Sequence, residues 1–298
     1  MIQRLLLIDG HAYAYRAFHA IRQLSAPDGS PTNAIFGFIQ MLTRLRAALE
    51  PSHLGVIWDG GLDAGRMAAW PAYKAQRPPM PAGLGAQIDE IIAFLGASGL
   101  HSYCEEGVEA DDYLALAARR GAASGLPVII ASSDKDFMQL VAPAIALVNP
   151  NDKSQSLWGE NQVVAKTGVT SAQVVDWLSL IGDSVDNIPG VPGVGPKTAA
   201  DLLRRFGSVD ILYRRLPEVA SERLRTTLRE AEAAVRRNQC LIRLRDDLPC
   251  PFALADFACG QPDHARLLDL SRRWGFRSLA AKAEAELSVA ADSLPGLA

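Results

Sequence analysis

No stretch of the 298 residues approaches the roughly 18 uncharged apolar residues that a membrane span needs. The amino-terminal MIQRLLLIDGHAYAYRAF holds one short apolar run closed by an acid, too short for the core of a signal peptide. Cysteine is scarce. Cys104, Cys240, Cys250 and Cys259 show no CxxC spacing, which argues against a zinc-thiolate module or a disulfide framework. Reduced, structural thiols point to a cytoplasmic protein. Neither charge sign is in excess: Lys and Arg total 30 against 33 Asp and Glu, a net charge of −3, so only the distribution of charge can reveal a nucleic-acid partner. Internal repeats and low-complexity tracts are also missing. What is present is hydrophobic sequence, 49% of the chain, enough for a sizeable core in one large domain or in a core with an appendage.

Short apolar runs alternate with helical patterns through the first half. RLLLID (4–9), LGVIWD (54–59) and PVIIASSD (127–134) read as buried strands, and each ends in aspartate: Asp9, Asp59 and Asp134. NAIFGFIQMLTRLRAALE (33–50), AQIDEIIAFLGASG (86–99) and DDYLALAARRGAASG (111–125) carry helical spacing. The alternation predicts an α/β fold with a parallel sheet covered on both faces and ligands beyond the carboxyl ends of its strands. From about residue 160 the pattern turns helical, over 170–183, 195–207 and 221–239 and around 263–274 and 278–288. Residues 60–82 fit neither pattern and are expected to form a long, partly helical excursion from the sheet. Loops that long in a compact domain are usually functional or disordered. The predicted division is 1–169 for the sheet-bearing core with its excursion, and 170–298 for the helical remainder.

Nine carboxylates fall where a strand ends or a helix begins: Asp9, Asp59, Glu109, Asp111, Asp112, Asp134, Asp136, Asp183 and Asp186. Glu109 and Asp112 in GVEADD share a helix face, Asp134 and Asp136 flank Lys135, and GDSVDN sets Asp183 and Asp186 three apart. Taken singly, each acid could simply cap a helix or complement its dipole. Together they cannot. Two carboxylates 4 Å apart repel by about 4 kcal/mol at an effective dielectric near 20. Several such pairs would exceed the roughly 5–15 kcal/mol that stabilises a domain. Something positive must lie among them, and Lys135 is the obvious local cation. Hard oxygens without His or Cys suit Mg²⁺ or Mn²⁺, and two such ions are the usual apparatus for in-line attack at phosphorus.

NIPGVPGVGPKTAADLLRRFGS (187–208) is the second strong signal. Gly190, Gly193 and Gly195 allow tight turning, the prolines between them fix the turns, and Pro196 suits the first turn of a helix. The exposed N–H groups of such a turn and helix start can hold a phosphate, with Lys197 and Thr198 adding charge and a hydroxyl. A plain turn between packed helices is the bland alternative. Contacts to phosphate alone would position a duplex without reading its sequence. In the excursion, Arg66, Tyr73, Lys74 and Arg77 follow Asp59, and basic groups around an aromatic suit a single strand. Lys74 and Arg77 could also steady charge on a scissile phosphate. The rival reading is a surface segment with snorkelled cations. Arg16 is a further candidate phosphate contact.

The set LLLIDGHAYAYRAFHA, YKAQRPPMP, GVEADD, SSDKDFMQLV and GDSVDNIPGVPGVGPKTA resembles the bacterial 5′-nuclease (flap endonuclease) family, in particular the N-terminal 5′→3′ exonuclease domains of DNA polymerase I enzymes. The similarity runs from about residue 4 to 245. It implies a PIN-like α/β nuclease core with a helical arch, and a helix–three-turn–helix (helix-hairpin-helix) region that grips duplex DNA. It also implies two-metal hydrolysis of branched DNA near the single-strand/duplex junction, together with 5′→3′ exonuclease activity. By motif, all nine carboxylates correspond to the family's metal-site acids. Lys74 and Arg77 correspond to its arch cations and Tyr73 to the preceding aromatic. A monovalent ion, typically K⁺, is expected between roughly Gly190 and Gly195. Two features depart from the family: His11 stands where a small hydroxyl residue is usual, and the arch is poor in lysine. With no polymerase segment by residue 298, the expectation is a freestanding, monomeric nuclease in DNA replication and repair. A branched-DNA binder without catalysis and a PIN-type ribonuclease are the rivals. Retention of all nine acids argues against the first, and the glycine hairpin against the second.

Overall fold

The computed structural model describes residues 3–150, 152 and 154–292, so the outer ends of both predicted domains, 1–2 and 293–298, lie outside the described residues. Along the first half run β1 (Leu5–Asp9), α1 (Gly10–Ala20), α2 (Asn33–Leu49), β2 (His53–Trp58), α3 (Ala64–Ala69), α4 (Leu84–Ala97), β3 (His101–Cys104), α5 (Ala110–Ala123), β4 (Val128–Ala131) and β5 (Ile145–Val148). The second half continues with β6 (Leu157–Trp158), α6 (Glu160–Thr167), α7 (Val174–Ile181), β7 (Gly182–Asp183), β8 (Ile188–Pro189), α8 (Pro196–Phe206), α9 (Val209–Arg214), α10 (Glu222–Ile242), α11 (His264–Trp274) and α12 (Arg277–Asp292). They fall into two compact units, one of Met1–Trp58, Met80–Cys104 and Pro251–Ala298, the other of Asp59–Pro79 and Glu105–Cys250.

In the first unit β1, β2 and β3 form a parallel ladder with β2 central, Leu5 opposite His53 and Gly55 opposite His101. All five residues of β1 are buried, which explains why the strand reads as an unbroken apolar run rather than an alternation. β1 passes straight into α1 because Asp9 caps it, accepting from the Ala12 N–H at 2.9 Å. The last helices join this unit. Ala258 bridges to His53, the Phe257 side chain fills the space above Gly55, and Trp274 donates its indole N–H to Glu90 of α4 at 3.0 Å.

In the second unit β4 and β5 pair in parallel and β6 adds antiparallel to β5. The expected excursion contains one six-residue helix, α3, followed by turns. The helical region forms where expected, and β7 and β8 close the turn of GDSVDN as a two-residue ladder. Buried Asn238 of α10 donates to the carbonyls of Ser179 and Pro189, at 3.1 and 2.8 Å, tying that helix to α7 and to the start of the glycine hairpin.

Candidate active site

α3 brings to the acids a cation, Arg66, that the sequence suggested for a single strand. Asp63 caps the helix by accepting from the Arg66 N–H at 2.7 Å. The Arg66 side chain turns inward and is only 5% exposed. Its Nη1 donates to Glu109 Oε2 at 2.5 Å and to Asp112 Oδ2 at 2.8 Å, and its Nη2 donates to Asp112 Oδ1 at 2.8 Å. Burial alone would lower the Arg66 pKa, but the hydrogen bond and charge of Asp112 and the charge of Glu109 raise it overall. Lys135 is therefore not the sole cation among the acids. Its Nζ lies 2.9 Å from Asp183 Oδ1, while Arg66, Lys74 and Arg77 meet Glu109, Asp112 and Asp186.

Lys74 sits in the left-handed region at φ 54° and its backbone N–H donates to the Asp186 carbonyl at 3.0 Å. Its ammonium donates to Glu109 Oε1 at 2.8 Å and stands 3.9 Å from Asp186 Oδ2. Burial pulls the Lys74 pKa down, but Glu109, Asp186 and Asp111 together hold it above the usual lysine value. Tyr73 is 2% exposed, and its hydroxyl donates to Glu109 Oε2 at 3.1 Å. Burial and the neighbouring carboxylates push its pKa far up. Tyr73 was expected to stack on a base; in this structure its ring is buried, with the Lys74 ammonium 4.8 Å from its centre. Arg77 remains exposed and donates to Asp186 Oδ1 at 2.7 Å. Trp70 donates to the Asn187 carbonyl at 2.9 Å and carries the Arg237 guanidinium 3.9 Å from its ring centre, so the excursion is stitched to the 183–187 turn. Nothing local in the sequence signals those partners.

Asp136, Asp183 and Asp186 are buried and each offers a carboxylate oxygen, all within 4.8 Å of one another. The 3₁₀ turn Lys135–Leu140 sets this up: Asp134 caps it by accepting from the Asp136 N–H at 2.9 Å, which turns Asp136 inward. Asp136 Oδ1 is buried without a hydrogen-bond partner among the described residues. Burial first, and then the charges of Asp134, Asp183 and Asp186, push the Asp136 pKa well above the carboxylate range. Burial and the charges of Asp186 and Asp183 likewise raise Asp134, against the Asp136 N–H bond that lowers it. An orphaned buried oxygen among like charges is costly in a low dielectric, and a hard cation with water in its remaining positions would relieve it.

The other predicted acids divide by setting. Glu109 and Asp112 each accept from several protein donors, Asp112 Oδ1 taking the Arg245 N–H at 2.8 Å in addition to Arg66. Exposed Asp59 accepts from the Ala110 N–H at 2.8 Å at the start of α5, and half-buried Asp111 lies one residue further on. Asp9 belongs to the first unit and is 7% exposed. In the same unit Arg16 is half-buried on α1, and His11 packs edge-on against Trp58 with centroids 5.5 Å apart.

In the glycine hairpin a Cβ on Gly190 would stand 2.2 Å from the Ile181 backbone carbon, so the chain must be bare there for α7 and the hairpin to cross. Gly193 takes φ 77° at the exposed tip, and the Val194 N–H closes the turn onto the Val191 carbonyl at 3.0 Å. Gly195 caps α8 with Pro196 in its first turn, leaving Lys197 exposed and Thr198 half-buried.

Two family models match the chain: 5′-3′ exonuclease, N-terminal resolvase-like domain, over residues 4–168, and 5′-3′ exonuclease, C-terminal SAM fold, over residues 169–265. The chain is 36% identical to DNA polymerase I of Bacillus caldotenax over 290 residues, 97% of this chain and 33% of that protein. It is 34% identical to the 5′-3′ exonuclease of Aquifex aeolicus (strain VF5) over 279 residues, 93% of this chain and 94% of that one. Among solved structures, a bacteriophage T5 flap endonuclease variant in a pseudo-enzyme-product complex with DNA and metal ions superposes at TM-score 0.67 and 20% identity, over 97% of this chain and 99% of that one. At that identity the likeness speaks to the fold. The chain spans about a third of the length of the DNA polymerase I relatives it matches. Among the described residues no helix is long and apolar enough to cross a membrane.

Proposed function

The chain belongs to the 5′-3′ exonuclease family, and on that premise we propose that it is a structure-specific 5′ nuclease that uses divalent metal ions to hydrolyse branched DNA near a single-strand/duplex junction. The carrying observation is the buried trio Asp136, Asp183 and Asp186 with its orphaned oxygen, placed beside Lys74 and Arg77. The trio, with Asp134 alongside, would hold a divalent ion, and Asp59 and Asp111 extend the acidic field. Bound divalent ions supply an acidified attacking water and a counter-charge for the leaving oxygen.

The chain's own groups do the positioning. Arg77 is exposed and its guanidinium is held by Asp186 among the described residues, so it can turn toward a scissile phosphate. Lys74 stays buried as a fixed positive charge behind it. The hairpin of Gly190, Gly193 and Gly195, with Lys197 and Thr198 at the start of α8, is proposed to grip a duplex through its phosphates, and the family's monovalent ion is proposed for the same hairpin. The functional division at 169/170 is supported by the junction of the two family models. Action on DNA in the cytoplasm is part of this reading.

Cleavage of an end-labelled 5′-flap duplex with and without Mg²⁺, mapping the cut, tests it. Mg²⁺-dependent product ending close to the junction is expected. No metal-dependent cleavage, or random scission along the flap, overturns it.

A further inference from the structure

Arg66 uses every hydrogen-bond donor it has. A guanidinium carries five N–H groups. Besides its three bonds to Glu109 and Asp112, its Nε donates to the Leu241 carbonyl at 3.0 Å and its Nη2 to the Arg243 carbonyl at 3.2 Å. Those carbonyls lie at the end of α10, where helical acceptors lack intrahelical partners. Nearby, Arg245 Nη1 donates to Asp63 Oδ2 at 2.9 Å, so the start of α3 is held from both ends of one short segment. Both Asp112 oxygens accept from Arg66, and Glu109 is shared: Oε2 faces Arg66 and Tyr73, Oε1 faces Lys74.

We propose that Arg66 is a positioning residue of the hydrolytic site, acting through Glu109 to fix the Lys74 ammonium, and that Asp112 serves as its counter-ion rather than as a metal ligand. The proposal rests on the nuclease reading above. The planar fork is what the arrangement requires, because it spans two carboxylates and two carbonyls at once. A lysine would keep the charge but could not meet them together. The pairing also accounts for an acid that the metal site does not need.

Three measurements test this. In single-turnover cleavage the amplitude reports the folded fraction and the rate constant reports the site. Arg66→Lys is expected to lower the rate constant by about 10–100-fold, the usual effect of removing an outer-shell partner, with flap affinity little changed. A reduced amplitude with an unchanged rate constant would mean that Arg66 only supports the fold, and would overturn the positioning role. Independently of activity, Lys74 should resist acetylation by acetic anhydride relative to exposed Lys197, and Arg66→Lys should abolish that protection. Protection that survives in the variant also counts against the role. Finally, Asp112→Asn should lower the melting temperature yet leave Mn²⁺ binding, followed by electron paramagnetic resonance of the free ion, as in the unchanged chain. Marked loss of Mn²⁺ binding makes Asp112 a ligand and overturns that half. If the unchanged chain cuts no flap, the parent reading fails alone, and the acetylation and Mn²⁺ measurements still decide this one.

Discussion

Lys74 and Asp186 meet twice: the Lys74 backbone N–H donates to the Asp186 carbonyl at 3.0 Å, and the Lys74 ammonium stands 3.9 Å from the Asp186 carboxylate. The double tie holds Lys74 at φ 54°, a conformation costly for a residue with a side chain and typical of sites where geometry is imposed. It also locks the excursion to the turn that carries two acids of the trio.

Removing that charge is expected to impair chemistry rather than binding. Lys74→Ala should slow single-turnover cleavage by roughly 10²-fold or more, the scale seen when a preorganised electrostatic donor is lost, while flap affinity stays close to that of the unchanged chain. Affinity that falls in step with the rate would instead make Lys74 a substrate-binding group.

The raised pKa values of Asp134 and Asp136 have a thermodynamic consequence. A carboxyl whose pKa is raised by folding binds its proton more tightly in the folded chain. Its contribution is fully present below the ordinary carboxylate pKa and is lost as pH climbs through the raised value. In chelator-treated protein, Asp136→Asn should therefore raise the melting temperature at neutral pH and not at pH below about 4. A shift of roughly 2–4 °C is expected for each kcal/mol recovered. Added Mn²⁺ should stabilise the unchanged chain and not this variant. Identical melting curves for both proteins at neutral pH would show that the cluster carries no electrostatic strain.

Asp111→Asn and Asp134→Asn keep size and hydrogen-bonding capacity while removing charge. Each should cut turnover severely and leave binding to a flapped duplex nearly intact, as gel-shift titrations in Ca²⁺ can check. Normal cleavage by both variants with Mg²⁺ contradicts the assignment of the acids.

At the hairpin, Lys197→Ala should weaken binding to duplexes of any sequence alike and flatten the dependence of log affinity on log salt by about one unit. Fluorescence anisotropy at several salt concentrations, on duplexes of unrelated sequence, measures both. A loss confined to one sequence is incompatible with a grip on the backbone.

Much of this architecture is legible along the chain because its signals are local. The apolar runs at 4–9 and 54–59 are strands, Asp9 caps α1, and Gly195–Pro196 opens α8 as the spacing predicts. Capping and period act over a few residues, so the residues themselves disclose them. The placement of residues 251–292 with the first unit had no such signal, since Phe257 seats over Gly55 through a contact just over two hundred positions apart in the chain.

By itself the sequence determined which acids are present, where strands and helices begin, and that unopposed carboxylates need a positive partner, because these follow from residue type and short-range spacing. Only the tertiary structure decided which cation meets which acid. Arg66 reaches Glu109 and Asp112 from 43 and 46 positions away, and Tyr73 turns inward to Glu109 instead of outward to a base. Asp136, Asp183 and Asp186 are left together with an oxygen that no side chain among the described residues satisfies. The physical reason is range: Coulomb attraction and burial depend on distance in space, and that distance is set only when the whole chain has packed.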